Sequence, residues 1–356
     1  MISPLPAEIL IHDSDSTENK AFSQEIQSFE KPVNILLMGF DARKGDKNPR
    51  CDALHMISVD IKNEKITIAS VPRGILVDLP KSVGGGTTYI GNSCHTAGID
   101  FAIGEIEKIT GIKHDYLIKT GFSQALGVFR YLGLPTTPTL QYLRNRRYGI
   151  GDYQRSRNQA IFLKDMFVSK FEHFAKLPKA VKYIAYKTVD TDLPYETLHD
   201  LINEVLSSKL YKNPDNIKTV QKPETGHKPK ELFYDENEFS ASDSWQTDGE
   251  YQDYQNGMIT YLQDLANRGK RLVDGKQYGS AYNLIKTPYN QKLWLQIDDA
   301  QTRFGIEYDL LYVFTQSTPS KNEAANITLD FITEMETYGL TTMVEKGKDL
   351  LDFLQT

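Results

Sequence analysis

The sequence contains few cysteines, no long apolar run and no excess of basic over acidic residues. Its two cysteines, Cys51 and Cys94, exclude a disulfide-rich scaffold and leave open two free thiols or one bridge. No stretch approaches the roughly 20 apolar residues of a membrane-spanning helix. The formal net charge of −6 disfavours a general nucleic-acid binder, because such proteins bind by neutralising phosphates with Lys and Arg.

What remains is the composition of an ordinary globular chain of about two domains. Hydrophobic residues make up 40% of the sequence and charged residues 25%, so the chain can bury a sizeable core. We expect a polar tether at 1–31, an α/β domain at 32–211, a linker or long excursion at 212–247 and a small helical domain at 248–356. The helical domain carries no motif that assigns it a role.

Apolar runs and helical patterns alternate within the α/β domain. The run VNILLMGF at 33–40 predicts a strand buried on both faces, and 54–61 with 65–72 predicts a hairpin. Residues 123–133 predict a helix with Ser123 as its N-cap. Strands alternating with helices predict a layered α/β domain.

Residues 142–157 concentrate positive charge in an otherwise acidic chain. Arginine presents a rigid fork of donors that pairs with phosphate oxygens, so this stretch predicts a phosphate site. On a helix, Arg155, Gln159 and Phe162 share a face that passes from charge to amide to aromatic ring. A solvated basic surface with Asp152 as a helix cap is the alternative. The arginines of the stretch are Arg144, Arg146, Arg147, Arg155 and Arg157.

Charged side chains also stand at the ends of three predicted strands. Asp41 and Arg43 follow the first strand, Arg50 and Asp52 precede the second, and Arg73 follows the third. In open α/β sheets, ligands collect beyond the carboxyl ends of strands. Asp41 and Asp52 together can hold Mg²⁺, which takes one or two carboxylates with ligand phosphates and water. A turn role for each aspartate is the alternative.

Two further features predict structure rather than chemistry. The glycine-rich stretch 82–98 lacks the Gly-Lys-Ser/Thr ending of a P-loop and predicts a loop over the site. His55, His95 and His114 show no ligand spacing with one another or with a cysteine, so we expect structural or surface histidines.

The motifs together resemble those of the LytR-CpsA-Psr family of bacterial cell-envelope proteins. Their order, spacing and strand context agree over residues 32 to 210. The last motif is the most specific, because it aligns without a gap from Asp152 to Gln159. The matching stretches are NILLMGFDAR (34–43), RCDALHMISVD (50–60), KITIASVPRGILVDLP (65–80) and RNRRYGIGDYQRSRNQ (144–159).

The resemblance implies a phosphotransferase that moves a glycopolymer from a polyprenyl-pyrophosphate carrier to peptidoglycan or a similar envelope acceptor. It implies Mg²⁺ as a cofactor, held by Asp41 and Asp52. The catalytic residues would be Asp41, Asp52, Arg73 and Arg155. The pyrophosphate ligands would be Arg43, Arg50, Arg144, Arg146, Arg147, Arg157 and Gln159.

The resemblance also implies a layered α-β-α domain around a central mixed sheet, with an apolar tunnel for the lipid between the sheet and the helices. We expect it to open beside Asp41, Arg73 and Arg155. Family members are tethered to the outer face of the plasma membrane by an N-terminal span, which this sequence lacks, and the same location is expected here. The expected tunnel residues are Phe162, Met166, Phe167, Leu126 and Phe129.

The sequence departs from the family pattern at four points. Gly74 replaces an aspartate, Cys51 replaces a small hydroxyl residue, and RNRRY is one residue longer, so Arg146 and Arg147 compete for one role. The fourth is the missing span. The alternatives are therefore a Mg²⁺-dependent polyprenyl-pyrophosphatase or a non-catalytic polyprenyl-phosphate binding protein, and Gly74 keeps the second of these open.

Overall fold

The structure, a computed structural model, describes residues 29–42, 48–144, 151–224 and 249–355. An α/β region carries the sheet, and an all-helical region follows it. No helix in these ranges combines the length and hydropathy needed to cross a bilayer. Among the predicted site residues, Arg43, Arg146 and Arg147 lie outside the described residues.

The α/β region is built on a mixed sheet. The described strands are β1 (Val33–Phe40), β2 (Cys51–Asp60), β3 (Lys65–Ser70), β4 (Leu76–Asp78), β5 (Thr87–Tyr89), β6 (Tyr116–Gly121), β7 (Asp190–Thr191) and β8 (Ile217–Gln221). The sheet order is β7-β6-β1-β2-β3-β8, with β4 and β5 paired separately. The β1–β6 and β3–β8 pairs are parallel, whereas β1–β2, β2–β3 and β6–β7 are antiparallel. The predicted α/β class and the β2–β3 hairpin are confirmed.

Helices cover the sheet and form the region that follows it. Those of the α/β region are α1 (Ile90–Thr96), α2 (Ile99–Thr110), α3 (Phe122–Tyr131), α4 (Thr136–Arg144), α5 (Asp152–Ser169), α6 (Phe171–Ala175), α7 (Lys179–Thr188) and α8 (Tyr195–Ser208). Those of the helical region are α9 (Gly249–Asp274), α10 (Tyr278–Asn290), α11 (Ala300–Ser317), α12 (Lys321–Thr337) and α13 (Thr341–Gln355), with a 3-10 helix at Leu293–Gln296.

Strand β1 is buried on both faces, as its apolar sequence predicts. Side chains alternate between the faces of a strand. Leu36 therefore packs with Ile106 of α2 on one face, whereas Ile35 packs with Ala160 of α5 and Leu201 of α8 on the other. The result is a helix–sheet–helix layering.

Strands β1 and β6 end and β2 begins at one edge of the sheet, and this edge positions the predicted site. Phe40 at the end of β1 pairs with Cys51 at the start of β2 and with Gly121 at the end of β6. Asp41 and Asp52 therefore emerge at the same edge, next to the start of α3.

Two local predictions were wrong. Helix α3 has Gly121 rather than Ser123 as its N-cap, and the Gly121 N–H donates to Gln124 Oε1 at 2.6 Å. Ser123 instead accepts a hydrogen bond of 2.8 Å from Gln296 Nε2 of the helical region, a partner that local sequence does not reveal. The stretch 82–98 contains β5 and α1 rather than a loop alone.

Candidate functional site

An apolar cavity of about 440 Å³ lies between the sheet and the helices α3, α4, α5, α7 and α8. Leu37, Ala53 and Ile118 form its sheet side, because they point to the same face of neighbouring strands. Helix residues close the other sides. The predicted tunnel residues Phe129, Phe162 and Met166 lie on its wall.

Two of the predicted tunnel residues do not line this cavity. Phe167 packs in the core beneath the sheet and stacks on Phe171, with 6.0 Å between ring centroids. Leu126 is buried in a cluster with Phe129 and Phe162, behind the cavity wall. Sequence reasoning missed several wall residues, among them Val128, Tyr131, Leu140, Leu143, Leu163, Tyr186 and Ile202.

The cavity is polar where it reaches the edge of the sheet that carries the aspartates. Asp41, Asp52, Arg144 and Gln159 all contribute to its lining there. The Arg144 guanidinium lies over the Phe122 ring, 5.4 Å from the ring centroid. Its Nη2 is buried and has no hydrogen-bond partner among the described residues. A buried guanidinium N–H without a partner is costly, so this atom is a candidate contact for an anionic ligand.

Beside this edge, two arginines and two aspartates form a connected cluster. Arg73 Nη1 donates to Asp52 Oδ1 at 2.6 Å, and Arg73 Nε donates to Asp152 Oδ1 at 2.9 Å. Arg155 Nη2 donates to the same Asp152 oxygen at 2.9 Å. The two carboxylates therefore fix the two guanidinium groups in place before any ligand binds.

The side chains of the cluster are partly buried, and their charges compensate one another. The side chain of Arg155 is 11% exposed and that of Arg73 is 36% exposed. Burial works against the charge of Arg73, but the hydrogen bonds and charges of Asp152 and Asp52 outweigh it and raise the pKa of the guanidinium. Arg73 is thus protonated at neutral pH.

Gly74 leaves the space that the Asp152 carboxylate occupies. A Cβ atom at position 74 would lie 2.8 Å from Asp152 Oδ2, closer than real Cβ contacts. Glycine at position 74, where the family pattern has an aspartate, therefore leaves room for the Asp152 carboxylate of α5.

Gln159 connects the polar end of the cavity to a histidine that sequence reasoning treated as structural. Gln159 Nε2 donates to the Leu143 carbonyl at 3.1 Å, and its Oε1 lies 3.3 Å from His55 Nε2. His55 is 1% exposed and lines the cavity. Burial lowers the pKa of His55 to about 4, although the bond to Gln159 opposes this shift. The ring is therefore neutral at pH 7.

The structure describes two further predicted phosphate ligands, Arg50 and Arg157, which make different contacts. Arg50 is exposed, and its carbonyl accepts from the Asp41 N–H at 3.1 Å. Arg157 Nη1 donates to the Thr219 carbonyl at 3.1 Å and to its Oγ1 at 2.7 Å, which directs it to β8. The structure thus brings together Asp52, Arg73, Arg155 and Asp152, with Arg144 and Gln159 on the adjoining cavity wall.

A disulfide between Cys51 and Cys94 braces the site from behind. The two Cα atoms lie 6.0 Å apart, and the bond joins the start of β2 to α1. Helix α1 also holds the Arg73 backbone, because the Gly91 N–H donates to the Arg73 carbonyl at 2.9 Å. Helix α1 therefore supports both Asp52, which follows Cys51, and Arg73.

The carboxylates of Asp41 and Asp52 fit Mg²⁺ better than a metal ion whose ligands all come from protein side chains. The described residues contain no group of three or more His, Cys, Asp or Glu side chains able to hold a metal ion. Asp41 and Asp52 both line the polar end of the cavity. Two carboxylates suffice for Mg²⁺, since phosphate oxygens and water complete its octahedron.

Comparisons with known proteins point in one direction. Residues 8–125 match the LytR_cpsA_psr family. A protein of Bacillus subtilis (strain 168), the polyisoprenyl-teichoic acid–peptidoglycan teichoic acid transferase TagU, is 24% identical over 261 residues, 65% of this chain and 81% of its own. The protein of the same name from Bacillus cereus (strain ATCC 14579) is 25% identical over 247 residues, 61% of this chain and 75% of its own. The crystal structure of B. subtilis TagV shares 22% identity with a TM-score of 0.42, over 54% of this chain and 84% of that one.

Proposed function

Because residues 8–125 of this chain match the LytR_cpsA_psr family, we propose that it is a glycopolymer phosphotransferase. The donor is a glycopolymer on a polyprenyl-pyrophosphate carrier, and the acceptor is peptidoglycan or a similar envelope polymer. Relatives named teichoic acid transferases, which are 24% and 25% identical to this chain over the aligned residues, support the reaction class.

The observation that carries the proposal is the buried Arg144 Nη2, which has no hydrogen-bond partner in the described part of the chain and lies at the polar end of an apolar cavity. A ligand that satisfies both features has an anionic head and a long apolar tail. Burying the tail gains about 25 cal/mol per Å² of apolar surface, less the cost of ordering the chain. The anionic head pairs with Arg144 and with the arginines beside it.

The chemistry we propose is displacement at the phosphorus that carries the glycan. The acceptor hydroxyl oxygen bonds to this phosphorus, the pyrophosphate P–O bond breaks, and polyprenyl phosphate leaves. The hydroxyl proton passes to a carboxylate at the mouth, Asp41 or Asp52. Negative charge grows on the leaving phosphate, and Arg73 and Arg155, already oriented by Asp152, stabilise it without reorganisation.

Asp41 and Asp52 would hold Mg²⁺, which neutralises charge on the pyrophosphate when bound. Asp52 would use its Oδ2 for this role, since its Oδ1 accepts a hydrogen bond from Arg73 Nη1.

We place the reaction at the outer face of the plasma membrane, where lipid carrier and peptidoglycan meet. The Cys51–Cys94 disulfide supports this location, because such bonds persist mainly in oxidising compartments. The partners are then the lipid-linked glycan, the envelope acceptor and the membrane surface. The net charge of −6 continues to disfavour nucleic acid.

The test is turnover of a polyprenyl-pyrophosphate-linked glycan by the full chain, with and without a peptidoglycan oligosaccharide. Arg73→Ala and Arg155→Ala should lose about 10- to 100-fold in rate with the fold intact, because each removes charged hydrogen bonds. Arg268→Ala is the matched control, since Arg268 is 53% exposed on α9 and pairs only weakly with Asp264.

The acceptor dependence separates the alternatives. Release of polyprenyl phosphate that requires the acceptor supports the transferase. Release with water alone identifies a pyrophosphatase, and tight binding without release identifies a lipid-binding protein. Unchanged turnover in both arginine variants refutes the site.

A further inference from the structure

A second cavity, of about 390 Å³, lies between the α/β region and the helical region. One wall comes from α7, β7 and the start of α3, and the other from α10, α11, α12 and the 3-10 helix. Its polar lining includes Gln124, Lys187, Asn290, Lys292, Glu307 and Glu334. The volume falls within the range of small-molecule sites.

The two walls are held together by polar contacts, so the cavity has a defined shape. Asp330 of α12 accepts from Tyr183 Oη at 2.9 Å and pairs with Lys187 Nζ at 2.8 Å, both on α7. On the other side, Arg130 Nη1 donates to the Leu295 carbonyl at 2.7 Å. These contacts join α3 and α7 to the helical region on either side of the cavity.

The buried charges of the cavity favour a neutral ligand. Glu307 is 5% exposed and hydrogen-bonds to Glu334. Burial, and then the charge of Glu334, raises the pKa of Glu307, while the ammonium group of Lys292 acts on both carboxyls in the opposite sense. Lys187 is already paired with Asp330. Lys292 thus offsets part of the negative charge of the two glutamates, and the cavity offers donors and acceptors whose charges are largely compensated.

Aromatic rings supply the apolar part of the same cavity. Tyr289, Trp294 and Phe331 line it together with Ile184 and Ile327. The Tyr289 and Trp294 ring centroids lie 5.2 Å apart, which fixes both rings. A pyranose ring has the complementary pattern, because its C–H face is apolar and its rim carries hydroxyl groups that donate and accept.

The second cavity adjoins the apolar cavity of about 440 Å³ between the sheet and the helices, which we call the lipid cavity. Tyr186, Val189 and Thr191 line both, so they form the wall between them. Strand β7 is separated from β1 by β6 alone. At a spacing of about 4.8 Å per strand, β7 lies roughly 10 Å from β1, whose end carries Asp41. Because β7 lies level with Met38, three residues before Asp41, a glycan attached at the mouth of the lipid cavity has to extend roughly 14 Å to reach the second cavity.

We propose that this interdomain cavity is a sugar-binding site that receives one pyranose unit of a glycan. The binding rests on the cavity alone, whereas its source, a unit of the transferred glycopolymer or of the acceptor, rests on the proposed function. The helical region then contributes directly to glycan recognition.

The test is saturation-transfer NMR on the full chain with lipid-free sugars at millimolar concentration. The probes are glucose, galactose, N-acetylglucosamine, N-acetylgalactosamine and chitobiose. Lys292→Ala and Glu334→Gln should weaken the binding of the preferred sugar about tenfold or more, because each removes a charged hydrogen-bonding group. Lys286→Ala is the matched control, since Lys286 is exposed on α10 and lies over Tyr282 outside the cavity.

Asn290→Ala guards against misfolding of the other variants, because Asn290 is exposed at the end of α10 and still lines the cavity. Weaker binding in this variant together with either other cavity variant supports the site. The proposal is overturned if no probe binds the wild-type chain, or if all three cavity variants bind like the control. Arg155→Ala should keep full sugar binding, so loss of transfer and loss of sugar binding are separate outcomes.

Discussion

Arg73 and Asp152 lie 79 residues apart in the sequence, and Arg73 Nε donates to Asp152 Oδ1 at 2.9 Å. This bond joins the end of β3 to the first turn of α5. The same oxygen accepts from Arg155 Nη2 at 2.9 Å, so a single carboxylate orients two guanidinium groups. Asp152 therefore acts as a positioning residue for the arginines that we assign to the pyrophosphate.

Gly74→Ala should disturb this arrangement without unfolding the chain. The new Cβ would lie 2.8 Å from Asp152 Oδ2, so the carboxylate must move and its bond to Arg73 weakens. A hydrogen bond between charged groups is worth about 1.5–3 kcal/mol, which corresponds to a loss of about tenfold or more in turnover. Thermal unfolding should change little, because Asp152 sits at a partly exposed edge.

Gly104→Ala is the matched control, because nothing lies within 4 Å of a Cβ at that helical position. Equal turnover in Gly74→Ala and Gly104→Ala would show that the Asp152 position does not matter for the reaction.

The metal assignment predicts a split between turnover and lipid binding. Asp41→Asn should reduce Mg²⁺-dependent turnover strongly, since the amide is a poorer ligand for Mg²⁺ than a carboxylate. Polyprenyl-phosphate binding should fall much less, because the apolar cavity carries most of that affinity. Rates measured over a Mg²⁺ titration, with an EDTA-treated sample as reference, decide the matter. Turnover that is unchanged by EDTA and by added Mg²⁺ would contradict the assignment of Mg²⁺ to Asp41 and Asp52.

The disulfide predicts a coupled loss of stability and activity on reduction. The bond closes a loop of 43 residues, which on the chain-entropy estimate is worth about 4 kcal/mol of unfolding free energy. Cys51→Ser/Cys94→Ser should lower the Tm by an amount that matches dithiothreitol treatment of the wild type. Turnover at a temperature where both remain folded should also fall, because α1 holds the Arg73 carbonyl through Gly91. A reduced protein with the wild-type Tm would contradict the bracing role.

His55 predicts a loss of stability in mild acid. Its pKa is about 4 in the folded chain, against 6.5 for an ordinary histidine, because burial disfavours the charged ring. The unfolded chain therefore binds the proton first as the pH falls, so this stability is present above pH 6.5 and decreases towards pH 4. The unfolding free energy should fall by about 3 kcal/mol more in the wild type than in His55→Leu between pH 7 and pH 4. Parallel pH profiles for the two proteins would show that His55 is protonated in the folded state.

Local sequence patterns were enough to predict β1, the β2–β3 hairpin and the edge that carries the site, but not β8, which lies in the stretch 212–247 expected to be a linker or long excursion. The continuous apolar run of β1 requires burial on both faces, and Asp41 and Asp52 flank strands that pair at that edge. Their convergence with Arg73 follows from strand pairing alone, because β2 and β3 form the predicted hairpin.

The direction of a side chain around its helix, and partners far apart in the sequence, explain why some site residues were not predicted correctly. Arg157 is two residues from Arg155, which turns it about 200° around the helix axis, towards Thr219 of β8. Phe167 is similarly one residue beyond Met166 and rotates from the cavity into the core. The Cys51–Cys94 bond and the second cavity depend on elements far apart in the chain, and no local pattern encodes them.

The central claim is that the apolar cavity holds a polyprenyl chain with its phosphate head at the arginine mouth. Native mass spectrometry of the full chain with added polyprenyl phosphate tests it most directly. Ala125→Phe should remove the adduct, because Ala125 lines the cavity on α3, whereas Ala300→Phe, at an exposed position on α11, should keep it. We predict one bound lipid per wild-type chain and none in Ala125→Phe. A wild-type chain without the adduct, or an equal adduct in Ala125→Phe, would contradict it.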